Sequence, residues 1–288
     1  MNVITTIETM RAYRKENWNS SIGFVPTMGY LHEGHMSMVE RSTQENDLTV
    51  ISIFVNPLQF GPDEDFDNYP RDLERDKRIA REYGADVIFH PSVEEMYPEK
   101  RTTSLQVIDR TDVLCGPARP GHFDGVATVV LKLLQIIQPE YMYLGQKDAQ
   151  QIAVLEGVVS DFNIPVRIVP CPTVREKDGL AKSSRNVNLT PEERQEAPFL
   201  KESLQHAATM VKEGHWEPET IKKEMESILN ENTSGIIDYR EVLSYPYLKP
   251  ATPEDKKWIC AVAVYFEKAR LIDNIIIELP ERQKGETT

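Results

Sequence analysis

Short β-branched runs alternate with amphipathic stretches through the first half of the chain. Runs at Ile22–Val25, Leu48–Val55, Ala85–His90, Glu140–Leu144 and Val166–Val169 are strand-sized and bounded by turn residues. Between them apolar positions recur at helical spacing. They predict helices over Gly34–Asn46, Arg71–Tyr83, Gly125–Ile137 and Ala149–Phe162, with an earlier one over Thr6–Asn17 capped by Thr5 or Thr6. A further apolar piece, Ser104–Ile108, reads as a short strand or a sheet edge. Strands alternating with helices call for an α/β, Rossmann-like domain: a parallel sheet with helices on both faces.

Beyond about Arg175 the rhythm changes. Asp178–Asn188 is polar and rich in turn residues, and two charged amphipathic helices are predicted over Pro191–Glu213 and Pro218–Asn230. Alternating strands follow at Ile236–Leu243, Trp258–Phe266 and Arg270–Ile277, which predicts a smaller α+β C-terminal domain with an antiparallel sheet. The expected division is 1–175 and 176–288, the second part closing over a site on the first, with 281–288 as a disordered tail.

Composition narrows the classes. A length of 288 residues suits two domains, and 40% hydrophobic with 27% charged residues is ordinary for a soluble globular protein. The opening residues carry Glu8 and no sustained apolar run, so no secretion signal is expected. The longest apolar runs, such as Cys260–Phe266, fall far short of a membrane span. A cytoplasmic protein with no membrane partner is the expectation. Cys115, Cys171 and Cys260 are odd in number and form no Cys-x-x-Cys pair, which argues for packing roles over a disulfide framework or thiolate metal site. The net charge of −13 repels a nucleic-acid backbone, and any small anionic substrate would need a local positive cluster.

The chemistry-bearing residues cluster where strands end. Gly23–Ser42 reads GFVPTMGYLHEGHMSMVERS: a strand, a Pro-Thr-Met-Gly turn, His32 and His35 around Gly34, then a helix. Amide N–H groups and the helix dipole at such a junction favour an anion, here the triphosphate of ATP. The histidines are three apart rather than four on a formed helix, so the zinc-protease pattern is not met; nor is there a Gly-Lys-Ser/Thr or Gly-x-Gly-x-x-Gly. After the second core strand, Asn56-Pro57-Leu58-Gln59 is in isolation a plain turn, although the Gln59 amide suits a carboxylate by donating a hydrogen bond without a full positive charge. Gly61–Arg71 is rich in acids, Asp63, Glu64, Asp65 and Asp67, and reads as a solvated loop positioned to act as a flap.

Three further segments follow. Arg119-Pro120-Gly121-His122-Phe123-Asp124-Gly125 precedes a helix that buries Val129, Leu133 and Ile136. Gly145-Gln146-Lys147-Asp148 ends a strand and opens a helix carrying Gln151. Lys147 suits a phosphate, and Asp148 suits a ribose or the helix cap. Lys182-Ser183-Ser184-Arg185 packs charge-assisted donors into four residues, the positive cluster that a net charge of −13 demands.

Taken in order, PTMGYLHEGH, NPLQF, RPGHF, GQKDAQQ and LAKSSRN resemble the motifs of the nucleotidylyltransferase superfamily with its His-x-Gly-His signature, and more narrowly those of the pantoate–beta-alanine ligases. The resemblance implies formation of pantoyl adenylate and pyrophosphate from pantoate and ATP, then attack by beta-alanine to give pantothenate and AMP. By resemblance, His35 is the proton donor to the leaving group, and His32, His35, Lys147 and Arg185 are catalytic. Met28, Gly29, Tyr30, Leu31, Glu33 and Gly34 complete the first wall of the ATP site, with Gly145, Gln146, Lys147 and Asp148 beside it. Lys182, Ser183, Ser184 and Arg185 form the opposite wall, and the backbone near Val174 meets the adenine. Gln59, Gln151 and Met28 hold pantoate and beta-alanine. Relatives often carry an apolar residue at Lys182 and an Arg at Asp124, and Asp124 receives no role. Mg²⁺ on the β- and γ-phosphates is expected from general ATP chemistry, with Asp76 as the provisional protein ligand. A homodimer is implied by resemblance alone.

Two alternatives stay open at this level. A plain nucleotidylyltransferase would want a basic pocket for a phosphorylated acceptor, where glutamines stand. A nucleotide-binding module without turnover would have no need of His32, His35, Lys147 and Arg185 together.

Overall fold

The β-branched runs of the first half pair into one parallel sheet. A computed structural model describes residues 1–61, 66, 67 and 69–280. Asp63, Glu64 and Asp65 of the expected flap, and the tail 281–288, lie outside them. The strands are β1 (Asn2–Ile4), β2 (Ile22–Thr27), β3 (Leu48–Ile53), β4 (Val87–Phe89), β5 (Tyr141–Gly145) and β6 (Arg167–Cys171), and they lie in the order β1-β4-β3-β2-β5-β6. All pairings are parallel. The helices are α1 (Ile7–Glu16), α2 (Glu33–Glu45), α3 (Leu73–Glu82), α4 (Val93–Met96), α5 (His122–Ile137) and α6 (Ala149–Asp161).

Alternation along the strands explains why helices cover both faces. Phe24, Val50, Met142 and Leu144 point to one side, against Met10 of α1, Val129 and Leu133 of α5 and Ile152 of α6. Val25, Ile51, Ile53 and Tyr143 point to the other, against Met36 and Val39 of α2 and Ala80 of α3. A parallel sheet buried on both faces needs apolar residues at nearly every strand position, which is how β2 and β3 read.

Two local readings change. β1 is too short to register as a rhythm, yet it pairs with β4 along its whole length. Ser104–Ile108 forms no strand: the Val107 N–H donates to the Asp124 carboxylate at 2.8 Å, so its backbone partner is a side chain on α5 and not a neighbouring strand.

The chain divides into two compact units, Met1–Val174 and Arg175–Thr288. The second holds α7 (Pro191–Glu196), α8 (Phe199–Lys212), α9 (Pro218–Asn232) and the strands β7 (Ile236–Ser244), β8 (Lys257–Tyr265) and β9 (Arg270–Glu278). The strands pair antiparallel in the order β7-β8-β9. The helix predicted over Pro191–Glu213 is broken after Glu196, because Pro198 lacks an N–H and its ring clashes with the preceding turn. Trp258, Cys260, Val262 and Val264 alternate onto the face covered by Leu204 and Val211 of α8 and Met225 and Leu229 of α9. Among the described residues no helix is long and apolar enough to cross a membrane.

One ion pair anchors the start of this unit. The Arg175 guanidinium reaches the Asp273 carboxylate with two donors, at 2.6 and 3.0 Å, and donates again to the Gly179 carbonyl at 3.1 Å. Asp273 is only 3% exposed. Asp273→Ala strands a partly buried guanidinium and is expected to lower stability by about 3 kcal/mol in denaturant unfolding. An unchanged unfolding midpoint would show that the pair contributes nothing.

Candidate active site

Order within the parallel sheet decides which loops meet. The chain runs from β2 to β3 on one side and later returns to β5 on the other, so the connections after β2, β3 and β5 converge outside the carboxyl edge at the point where strand order reverses. The segments around His32, Gln59 and Lys147 are those connections.

The loop after β2 is tightly shaped. The Thr27 hydroxyl donates to the Ser52 carbonyl at 2.7 Å and accepts from the Gly29 N–H at 3.1 Å. Gly29 sits at φ +91°, and a Cβ there would lie 2.9 Å from Ile53, so glycine is required on both counts. Tyr30 follows at φ +52°, a left-handed conformation that costs an ordinary residue roughly 1–2 kcal/mol. Asp76, reaching across from α3, offsets that cost. Its two oxygens accept the Tyr30 and Leu31 N–H groups at 2.8 Å each, and it is 1% exposed. Burial pushes its carboxyl above the usual range, against the pull of the Leu31 and Tyr30 N–H groups and of Arg75.

The histidines close the first turn of α2. The His32 Nδ1 accepts from the Gly34 N–H at 3.1 Å, and the His35 Nδ1 accepts from the His32 N–H at 3.4 Å, a reciprocal cap with imidazoles in place of the usual hydroxyl and carboxylate. Their rings lie 4.0 Å apart between centroids, tilted by 31°. With both Nδ1 atoms accepting, the neutral rings carry their protons on Nε2. The first-turn amides are largely engaged: the His35 and Met36 N–H groups donate to the His32 carbonyl at 2.8 and 3.0 Å. The expectation of open backbone amides for phosphate is therefore corrected. The helix dipole remains.

His35 departs from the sequence reading as well. Burial holds its pKa well below the usual 6.5, and the charges of His32 and Lys147 push it the same way. A neutral-range acid was expected; the structure holds His35 as a neutral donor. The coupling to Lys147 also brings the β5 connection beside the β2 loop. The Lys147 ammonium lies 3.6 Å from the Asp148 carboxylate. Asp148 makes no side-chain cap to α6, so the helix-cap reading is not met.

Gln59 is held from several directions. Its Nε2 donates to the Met28 sulfur at 3.1 Å and its Oε1 accepts from the Asn56 amide at 3.2 Å. Asn56, which reads in sequence as an ordinary turn residue, is 1% exposed. It also donates to the Gly125 carbonyl at 3.0 Å and accepts from the Leu58 N–H and the Tyr97 hydroxyl. The RPGH segment braces the same turn: the His122 Nδ1 donates to the Gln59 carbonyl at 2.8 Å, and the Arg119 guanidinium lies 3.0 Å from the His122 Nε2. A Cβ on Gly125 would fall 2.1 Å from the Leu58 carbonyl oxygen, so α5 approaches the turn only through a glycine. Gln151 stands on the first turn of α6, partly exposed, and its neighbour Gln150 is instead a buried brace for the Arg110 and Val113 carbonyls and the Cys115 N–H.

Val174 ends the first unit, and the Lys182–Arg185 segment belongs to the second. There the Ser183 hydroxyl accepts from the Arg185 N–H at 3.2 Å, and the Lys182 ammonium pairs with the Glu176 carboxylate at 3.1 Å. Ser183 thus caps its own turn, and Lys182 is committed to an internal partner. Among the described residues no group of three or more His, Cys, Asp and Glu side chains is placed to hold a metal ion. Both oxygens of Asp76, the provisional magnesium ligand, accept backbone N–H groups of the histidine loop. An acid on the buried stripe of α3, in line with Ala80, was the sequence signal for its bracing role.

The low pKa of His35 has a sign for stability. The unfolded chain takes up this proton near pH 6.5 and the folded chain only at lower pH, so stability present at neutral pH is lost as pH falls below about 6.5. In nucleotide-free protein, ¹⁵N NMR of the His35 ring is expected to show the neutral Nε2–H form at pH 6.5. A ring half protonated at that pH would contradict the geometry. Gly125→Ala is expected to raise the KM for the carboxylate substrate by displacing the Gln59 turn. An unaltered KM in a folded variant would show that the turn tolerates the shift.

Comparison with known proteins places this geometry. Residues 2–276 match the family described as pantoate-beta-alanine ligase. The chain is similar to the pantothenate synthetase of Geobacillus kaustophilus, 57% identical over 272 residues that cover 94% of this chain and 90% of that one. Among solved structures it is similar to pantothenate synthetase from Thermus thermophilus, with a TM-score of 0.90, 45% identity and coverage of 96% and 99%. It is also similar to the pantoate-beta-alanine ligase from Francisella tularensis complexed with beta-gamma ATP and beta-alanine, with a TM-score of 0.79, 35% identity and coverage of 96% and 97%. A match over nearly the whole chain, with the same fold, means that the chain belongs to the pantoate-beta-alanine ligase family.

Proposed function

We propose that the chain condenses (R)-pantoate with beta-alanine at the expense of ATP, through a pantoyl adenylate. The observation that carries the reading is the convergence at one sheet edge of two Nε2–H imidazoles, the Lys147 ammonium and an immobilised glutamine amide, in a chain of this family.

In the first step a pantoate carboxylate oxygen attacks the α-phosphorus and the bond to the bridging oxygen of pyrophosphate breaks. Two anions must meet, so the site has to supply positive charge and orientation. Burial and the neighbouring Lys147 keep His35 neutral in the free protein, which leaves Lys147 and Arg185 as sources of full charge. His32 and His35 donate hydrogen bonds from Nε2 to the α- and β-phosphate oxygens, and the His35 N–H stabilises the negative charge that builds on the pyrophosphate oxygen as it departs. Ser184 adds a hydroxyl donor, Ser183 keeps its turn in shape, and backbone near Val174 meets the adenine. Mg²⁺ enters chelated by the β- and γ-phosphates as part of the ATP substrate. In the second step Gln59 and Gln151 hold the pantoyl group while the beta-alanine nitrogen attacks the acyl carbon. The bond from the acyl carbon to the AMP oxygen breaks, AMP leaves with that electron pair, and the nitrogen releases one proton to solvent. The C-terminal domain, residues 176–288, carries Arg185, and the enzyme works as a homodimer in the cytoplasm.

Incubation with ATP, Mg²⁺, labelled pyrophosphate and pantoate, without amine, is expected to move label into ATP only when pantoate is present. Absence of exchange, together with no AMP on adding beta-alanine, would sink the reading. His35→Ala removes one positioned donor and is expected to lower exchange by roughly a hundredfold. Full activity in that variant would remove His35 from the mechanism.

A further inference from the structure

The loop that carries both histidines is set by a group outside it. Between β2 and α2 the backbone makes two successive left-handed residues, Gly29 at φ +91° and Tyr30 at φ +52°, before His32 returns to extended backbone at φ −137°. The N–H groups of Tyr30 and Leu31 then point the same way, and the Asp76 carboxylate takes one on each oxygen. Two successive amides aimed at one carboxylate make a concavity of the kind that binds anions, filled here by an internal one. Arg75 closes the arrangement, its guanidinium 3.4 Å from Asp76 Oδ1 and 4.9 Å above the Tyr30 ring. Leu31 is wholly buried, so its N–H has no water to fall back on.

The consequence reaches the chemistry through two residues of chain. Leu31 leads directly into His32, whose N–H and Nδ1 make the reciprocal cap with His35 and Gly34. Where the Tyr30–Leu31 peptide points decides where His32 starts α2, and hence where both Nε2–H groups aim.

We propose that Asp76 is a positioning residue for adenylate formation: by holding the Tyr30 and Leu31 amides it locks the loop so that His32 and His35 present their Nε2–H groups together, and it does so without binding the metal. The proposal rests on the ligase reading above.

Asp76→Asn tests it. The amide keeps the size of the side chain but turns one acceptor into a donor facing a backbone N–H. In protein shown to be folded by its thermal melt, pantoate-dependent pyrophosphate exchange at saturating ATP is expected to fall at least tenfold. The Mg²⁺ concentration for half-maximal rate is expected to stay unchanged. The ¹⁵N signals of His32 and His35 are expected to shift toward mixed tautomers, which loss of stability alone would not cause. A rate within twofold of wild type would overturn the proposal, as would recovery of the rate on raising Mg²⁺, the behaviour of a metal ligand. If the variant does not fold, hydrogen exchange on the wild-type protein decides: strong protection of the Tyr30 and Leu31 amides supports the brace, and exchange at the rate of open loop amides overturns it. Absence of exchange activity in wild type would instead reject the ligase reading and leave the amide measurement standing.

Discussion

The parallel pairing of β2 with β3 on one side and β5 on the other is the constraint from which the candidate site follows. Parallel strands point their carboxyl ends the same way, so every connection leaving that edge starts from a shared line. The reversal of order at β2 opens a gap between the loops that leave in opposite directions. Met28, Gln59 and Lys147 are distant in sequence and are gathered by this arrangement alone. The buried faces above and below the sheet make it rigid, which lets short loops hold side chains to hydrogen-bond precision.

Electrostatics then divides the labour within the site. A chain of net charge −13 that handles ATP and a carboxylate must concentrate positive charge locally. Burial and the neighbouring Lys147 hold His35 neutral, so in the proposed reaction the imidazoles act through directed N–H donors and the permanent charge is left to Lys147 and Arg185. A neutral histidine beside a lysine is also the less costly arrangement before the nucleotide arrives, since two like charges in a half-buried site repel.

Much of the architecture was legible because it rests on local rules. Alternating strands and helices marked the first unit, and the loss of that alternation after about Arg175 marked the antiparallel sheet of the second. Pro198 broke a helix that apolar spacing alone had drawn as continuous, and Ser104–Ile108 looked like a strand because it is apolar, although Asp124 takes its backbone N–H. The motif segments were likewise visible at strand ends, and family resemblance ordered them.

What local pattern could not carry was the identity of partners across the fold. The sequence by itself determined the sheet class, the strand ends on which His32, His35, Gln59 and Lys147 stand, and the residue types fit for phosphate and carboxylate, because periodicity and side-chain chemistry are properties of short windows. Only the tertiary structure decided that Asp76 accepts the Tyr30 and Leu31 N–H groups of the histidine loop, that Asn56 and His122 fix the Gln59 turn, and that burial holds the pKa of His35 low. Each of these depends on burial and on hydrogen bonds between residues tens of positions apart, and neither exists until the chain has folded.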